Sequence, residues 1–263
     1  FNILGGLVLA GITGFVVIGG LKRIAEVATF LVPLMGSIYF GAMIVALILN
    51  LNLVLPAFKL ILVDAFNGTA IAGGTFFGVL IYGVRRGAFS NEAGMGTESL
   101  VHGVAKVSNP VKQGLVAMTG PIFDTLIICT ATALMILVSG VWETSSSQGV
   151  TLTAEAFSIL LGSFGGLILF VCVICFGLST IFTYSYYGAS CSRFLFGKFG
   201  MKFYIYLYIL SIFIYSIVPI DIAINVADGA FAMMAIPTLI SALWLAPKVM
   251  QASKNYFKLI DNN

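Results

Sequence analysis

The sequence predicts an all-α, polytopic membrane protein, and three observations carry that expectation. Hydrophobic residues make up 60% of the chain and charged residues 9%, against about 25% charged in a typical soluble domain, so most of the sequence is unsuited to face water. Apolar runs long enough to cross a hydrocarbon core about 30 Å thick recur along the whole length. None of them alternates in polarity as the strands of a membrane β-barrel do.

The runs, about seven in number, fall at about 3 to 20, 28 to 49, 57 to 83, 113 to 140, 156 to 185, 203 to 219 and 222 to 246. Taken as alternating crossings, they place Lys22, Arg23, Arg85, Arg86, Lys106, Lys112, Arg193, Lys198, Lys202, Lys248, Lys254 and Lys258 on one side and Lys59 on the other. Basic residues concentrate in cytoplasmic loops, so the crowded side is the cytoplasm. The chain then starts outside and ends inside, with residues 251–263 as a cytoplasmic tail. This sidedness accounts for the net charge of +3 without invoking nucleic acid. The first residue, Phe1, lies within an apolar run with no initiator Met, basic n-region or cleavage site, so further residues are expected upstream.

The third run is too long for one straight crossing, and its middle reads FNGTAIAGGTFFG, Phe66 to Gly78. Asn67, Gly68, Thr69, Gly73, Gly74 and Thr75 lower helix propensity there, since glycine costs about 1 kcal/mol relative to alanine in a helix interior. A break near 66–75 would free backbone polar groups to line a cavity and meet an ion or substrate. Tight helix packing through Gly74 and Gly78 is the other reading, compatible with the first. Directly after this run comes GVRRGAFSNEAGMG, Gly83 to Gly96, a polar, glycine-rich stretch expected in the cytoplasm.

The fifth run ends with hydroxyls at Ser179, Thr180 and Thr183 and with Tyr184 four residues after Thr180. Such a stripe offers hard oxygens to Na⁺, although serine and threonine also bond harmlessly to their own helix. Asp124, mid-way along the fourth run, and Asp228, nearer the outer end of the seventh, are ionisable groups in apolar surroundings. They mark functional positions or structural polar anchors. Cys172 and Cys175 lie mid-helix without further Cys or His partners, so they read as buried thiols and not as a metal or redox site. The sequon at Asn67 lies inside a run and is discounted. No phosphate loop or nucleophilic triad is present, and an acid pair of Asp124 and Asp228 would require the two at one depth. The pattern is that of a binding and transport protein, not an enzyme.

The run GVRRGAFSNEAGMGTESLVHGVAK, followed by NPVKQGLVAM and FDTLIICTATAL, resembles the sodium:alanine symporter family, the alanine or glycine:cation symporters. GGLKRIAEVATFLVPLM, SYYG and MAIP agree as well. The resemblance implies a LeuT-like fold of two five-helix inverted repeats. In that fold the present runs are core helices four to ten: residues 1–50 close the first repeat and 51–250 form the second, broken near 66–75. It implies Na⁺-coupled import of a small neutral amino acid, alanine or glycine, across a bacterial inner membrane. No cofactor is implied beyond the coupling ion. By this resemblance Gly73, Gly74, Thr75, Thr180 and Tyr184 contact substrate, and Ser179 and Thr180 hold Na⁺. Two departures stand out: Tyr184 replaces a usual Trp, which bears on alanine against glycine, and Thr238 follows Pro237 where Asn is usual. A proton-coupled or broader-specificity permease using Asp124 or Asp228 is the alternative. Arg86, Asn91, Glu92 and Gly94 are expected to form a gating loop, with Arg85 and Arg86 anchored among anionic headgroups.

Overall fold

The computed structural model describes residues 2–66 and 75–261. Gly73, Gly74 and most of the expected break therefore lie outside the described residues. The described chain is helical throughout, without strands: α1 (Asn2–Ile18), α2 (Gly20–Leu49), α3 (Leu51–Phe66), α4 (Thr75–Asn91), α5 (Thr97–His102) and α6 (Pro110–Pro121). A π-helical segment, Ile122–Cys129, leads into α7 (Thr130–Ser139), followed by α8 (Val141–Thr144), α9 (Val150–Leu161), α10 (Ser163–Tyr215) and α11 (Ile220–Asp261).

Among the described residues, four helical stretches are long and apolar enough to cross a membrane: Arg23–Leu49, Pro110–Ser139, Ser163–Tyr215 and Ile220–Ile260. Ile3–Ile18 and Val150–Leu161 are shorter apolar helices. Large apolar side chains point outward along them, among them Phe194 at 90%, Phe199 at 84% and Trp244 at 80% exposure. Soluble proteins do not expose apolar surface on this scale. The chain is a multi-pass membrane protein whose exposed faces suit lipid.

Two expected boundaries move. The fifth run is divided at Gly162, whose φ of 69° lies in the left-handed region, where glycine carries no Cβ penalty. The expected connection between the fifth and sixth runs is helical, because α10 continues until Gly197 (φ 69°, ψ −159°) interrupts it. The chain doubles back there: Tyr208 donates to the carbonyl of Ile181 at 2.8 Å, and the Tyr204 side chain lies against Gly188.

The described chain divides into two compact units, one of Phe1–Leu80 with Ile127–Ile217, the other of Ile81–Leu126 with Val218–Asn263. The first unit is organised by an apolar cluster of Met43, Ala46, Met135, Phe157 and Leu169. Tyr39 stacks on Phe157 with ring centroids 5.5 Å apart, and its hydroxyl pairs with Thr132 Oγ1 at 2.8 Å. A second cluster joins Val16, Val17, Ile24 and Phe182. Since lipid is as apolar as the core, association here rests on close packing and hydrogen bonds between helices. In the second unit, α11 packs against α6. There Asn109 caps α6 by accepting from the Val111 N–H at 2.9 Å, with Pro110 at the first helical position, where its missing N–H costs nothing.

Gly165 shows how little room the first unit leaves. A Cβ there would meet the backbone carbonyl of Phe157, which cannot rotate away, whereas one at Gly177 would meet nothing. Gly165→Ala is expected to destabilise the protein by about 1–3 kcal/mol through overpacking. Gly177→Ala should be neutral or stabilising by up to about 1 kcal/mol. Thermal unfolding of the two variants in detergent checks the contrast.

Candidate functional site

The polar stretch Gly83–Gly96 begins as helix. Its residues up to Asn91 continue α4 without interruption, because arginine and alanine are good helix formers and the two glycines leave enough of them in place. The helix stops where the Asn91 side chain turns back on the chain and its Oδ1 accepts the Ala93 N–H at 2.9 Å. Glu92 then takes a φ of 55°, and Gly94 and Gly96 follow at 78° and 94°. Left-handed backbone at a residue bearing a Cβ is uncommon, so Glu92 is held there by its surroundings. Gly96 is further restricted by Thr238, whose Oγ1 would lie 2.7 Å from an added Cβ.

Arg85 forms an ion pair with Asp228 Oδ2, and Arg86 Nη2 lies 3.5 Å from the same oxygen. The Asp228 side chain is 4% exposed, against 48% and 40% for the arginines. The buried acid is thus balanced by two half-exposed cations. Asp228 Oδ1 is buried without a hydrogen-bond partner. The pair is seated by Phe89 and Phe231, edge to face with centroids 4.4 Å apart. The Arg86 guanidinium also lies over the Tyr82 and Phe89 rings, at 5.2 and 5.8 Å, a cation–π arrangement.

This contact corrects an expectation. Charge sidedness alone puts the arginines at the cytoplasmic end, among headgroups, and Asp228 nearer the outer face. Their ion pair places them at one level, with both arginines turned to the acid. The reason lies in α4, which runs on through the polar stretch and carries its charges alongside α11.

The other acid, Asp124, sits near the middle of the apolar stretch Pro110–Ser139, within the π-helical segment. Ser90 donates to Asp124 Oδ2 at 2.6 Å and Thr125 Oγ1 approaches the same oxygen at 3.3 Å. Asn91 Nδ2 donates to Thr125 Oγ1 at 3.0 Å. π-Helical turns are uncommon and frequently accompany functional sites. Asp124 and Asp228 are not joined as an acid dyad: each meets its own partners along the end of α4.

The hydroxyl stripe lies on α10 in the first unit. Ser179 is buried and its Oγ donates to the Phe176 carbonyl at 2.9 Å, while Thr183 Oγ1 donates to the Ser179 carbonyl at 2.9 Å. Thr180 and Tyr184 are half-buried, and the Tyr184 ring lies 5.3 Å from that of Tyr187. Thr75 opens α4. Sequence reasoning missed Ser90 and Thr125, which the structure places beside Asp124. The available signal was adjacency: each directly neighbours a residue already singled out, Asn91 and Asp124.

The sodium:alanine symporter family model matches residues 2–263. The sodium/alanine symporter AgcS of Methanococcus maripaludis is 35% identical over 98% of this chain and 57% of its own length. The transporter YflA of Bacillus subtilis is 37% identical over 98% of this chain and 56% of its own. From the same organism, a probable sodium/glutamine symporter, GlnT, is 34% identical over 95% and 53%. The chain spans about half the length of these relatives. It belongs to the sodium:alanine symporter family, whose members are transporters and not enzymes.

Removing both arginines leaves Asp228 buried and uncompensated, which costs about 3–5 kcal/mol in a fully buried pair; half-exposed partners put the expected loss near the low end, about 3 kcal/mol. Arg85→Gln/Arg86→Gln should therefore melt well below the wild type, and adding Asp228→Asn should recover part of the loss. Thermal unfolding in detergent measures both.

Proposed function

We propose, from membership of this family, that the chain is part of a secondary active transporter that imports a small neutral amino acid, alanine or glycine, with Na⁺ across the bacterial inner membrane. The carrying observation is the family match across residues 2–263. In this reading the fold is LeuT-like, residues 1–50 and 51–250 belong to successive inverted repeats, and the C-terminus is cytoplasmic. Gly73, Gly74, Thr75, Thr180 and Tyr184 meet the amino acid.

Na⁺ is held by Ser179 and Thr180. The local chemistry supports this role for Ser179, because a hydroxyl that gives its proton to its own helix keeps oxygen lone pairs for a cation. No resident cofactor is involved. Coupling follows when ion and amino acid favour the same occluded state, so that each tightens the other. The loop carrying Asn91, Glu92 and Gly94, tied to α11 through Arg85 and Arg86, is the gating element. A second reading, proton coupling or broader specificity, draws on Asp124, a mid-helix carboxylate whose hydrogen-bond donors are neutral hydroxyls.

Uptake of labelled alanine and glycine into proteoliposomes holding the protein at its full natural length tests the reading. Replacing Na⁺ by choline should abolish uptake, and Thr180→Ala should weaken Na⁺ dependence by about tenfold, the equivalent of one charge-assisted contact. Uptake indifferent to Na⁺ but driven by a pH gradient would favour the second reading. For the gate, Gly94→Ala forces a left-handed backbone onto a residue with a Cβ, at about 1–2 kcal/mol. Transport by Gly94→Ala and Glu92→Gln should be slowed several-fold; unchanged rates in both, in folded protein, would remove the loop from gating.

A further inference from the structure

Two carboxylates meet the end of α4, and their charges are treated differently. Asp228 is balanced by two guanidinium groups. Asp124 receives hydroxyl hydrogen bonds from Ser90 and Thr125, and among the described residues no basic side chain pairs with it. A lone anion inside an apolar span is costly and calls for a cation, a proton or water. We propose that Asp124, Ser90 and Thr125 form a coordination site for a small monovalent cation, Na⁺, distinct from the α10 hydroxyls, with Asn91 holding Thr125 in place. This rests on the reading of the chain as part of a Na⁺-coupled symporter and adds a second ion position to it.

The geometry supplies hard oxygens in one place. Ser90 Oγ lies 2.6 Å and Thr125 Oγ1 3.3 Å from Asp124 Oδ2, and the Asn91 amide reaches Thr125 Oγ1 at 3.0 Å. Carboxylate and hydroxyl oxygens suit hard cations and not thiophilic ones. Each hydroxyl oxygen carries lone pairs that an entering ion can share. One carboxylate among neutral ligands is neutralised by a single positive charge, whereas a divalent ion would leave an excess.

The π-helical turn contributes directly. Consecutive residues of a regular α-helix point about 100° apart, but the wider i→i+5 turn brings neighbours closer in direction. Asp124 and Thr125 accordingly both engage the end of α4. Ser90 is exposed and Asp124 half-buried, which leaves the oxygens within reach of an ion.

Binding of ²²Na⁺ to purified full-length protein, measured by scintillation proximity, tests the site. Asp124→Asn should weaken or remove one class of bound Na⁺ by about tenfold or more, and Ser90→Ala and Thr125→Val should each weaken it several-fold. Ser179→Ala/Thr180→Ala should leave that class in place. Unchanged ²²Na⁺ affinity and stoichiometry in folded Asp124→Asn overturns this site alone and leaves Na⁺-coupled transport standing. Where Asp124→Asn does not fold, unchanged binding in Ser90→Ala and Thr125→Val overturns it equally. A wild type that binds no Na⁺ overturns both this site and the Na⁺-coupled reading. Altered proton dependence of uptake with intact ²²Na⁺ binding in Asp124→Asn would make Asp124 a proton site and also overturn the proposal.

Discussion

An ionised carboxylate among apolar helices persists only with partners, and Asp228 finds two of them, Arg85 and Arg86, on a single turn of α4. Much of the second unit follows from that contact. For the arginines to reach the acid, α4 must continue through the polar stretch to Asn91 and lie beside α11, with Phe89 against Phe231. Its last residues then fall beside Asp124 and Thr125. The chain turns away only after Asn91, through left-handed backbone at Glu92, Gly94 and Gly96. A polar segment in so apolar a chain is accounted for by these two acids, which it serves on neighbouring helices.

The first unit is built on another principle. Its interior is formed by interlocking side chains such as Met43, Met135 and Phe157, with isolated bonds such as Tyr39 to Thr132. Most of its hydroxyls are spent within their own helices, as at Ser179, Thr183 and Ser185. Such bonds add little between helices but remove a buried donor and leave oxygen lone pairs available. The hydroxyl stripe is thus held by a packed framework, while the charged end of α4 is held by ion pairs and a loop of unusual backbone.

The apolar runs and the helical class were legible in the sequence, because about twenty consecutive apolar residues have few other fates. The family was legible from RGAFSNEAGMG and its neighbours, whose combination of glycines and polar side chains is hard to reproduce by chance. Depth was not. Hydropathy ends a span where charges begin, so it gave no sign that Arg85 and Arg86 pair with Asp228, a contact across 143 residues of sequence. The π-helical segment was equally hidden, since IFDTLIIC reads as an ordinary apolar helix apart from Asp124 and Thr125. The continuation of α10 to Gly197 was obscured by Arg193 and Lys198, charges that a hydropathy reading assigns to a loop.

The central claim is that the end of α4 lies against both acid-bearing helices at once. Paired cysteines at Phe89 with Phe231 and at Asn91 with Thr125, in a background lacking the four native cysteines, test it in the membrane with a short bifunctional thiol reagent. Efficient cross-linking of both pairs is the expected result. Failure of both pairs to react, in folded protein whose single cysteines remain accessible, would contradict the account and return the polar stretch to a loop apart from the two acids.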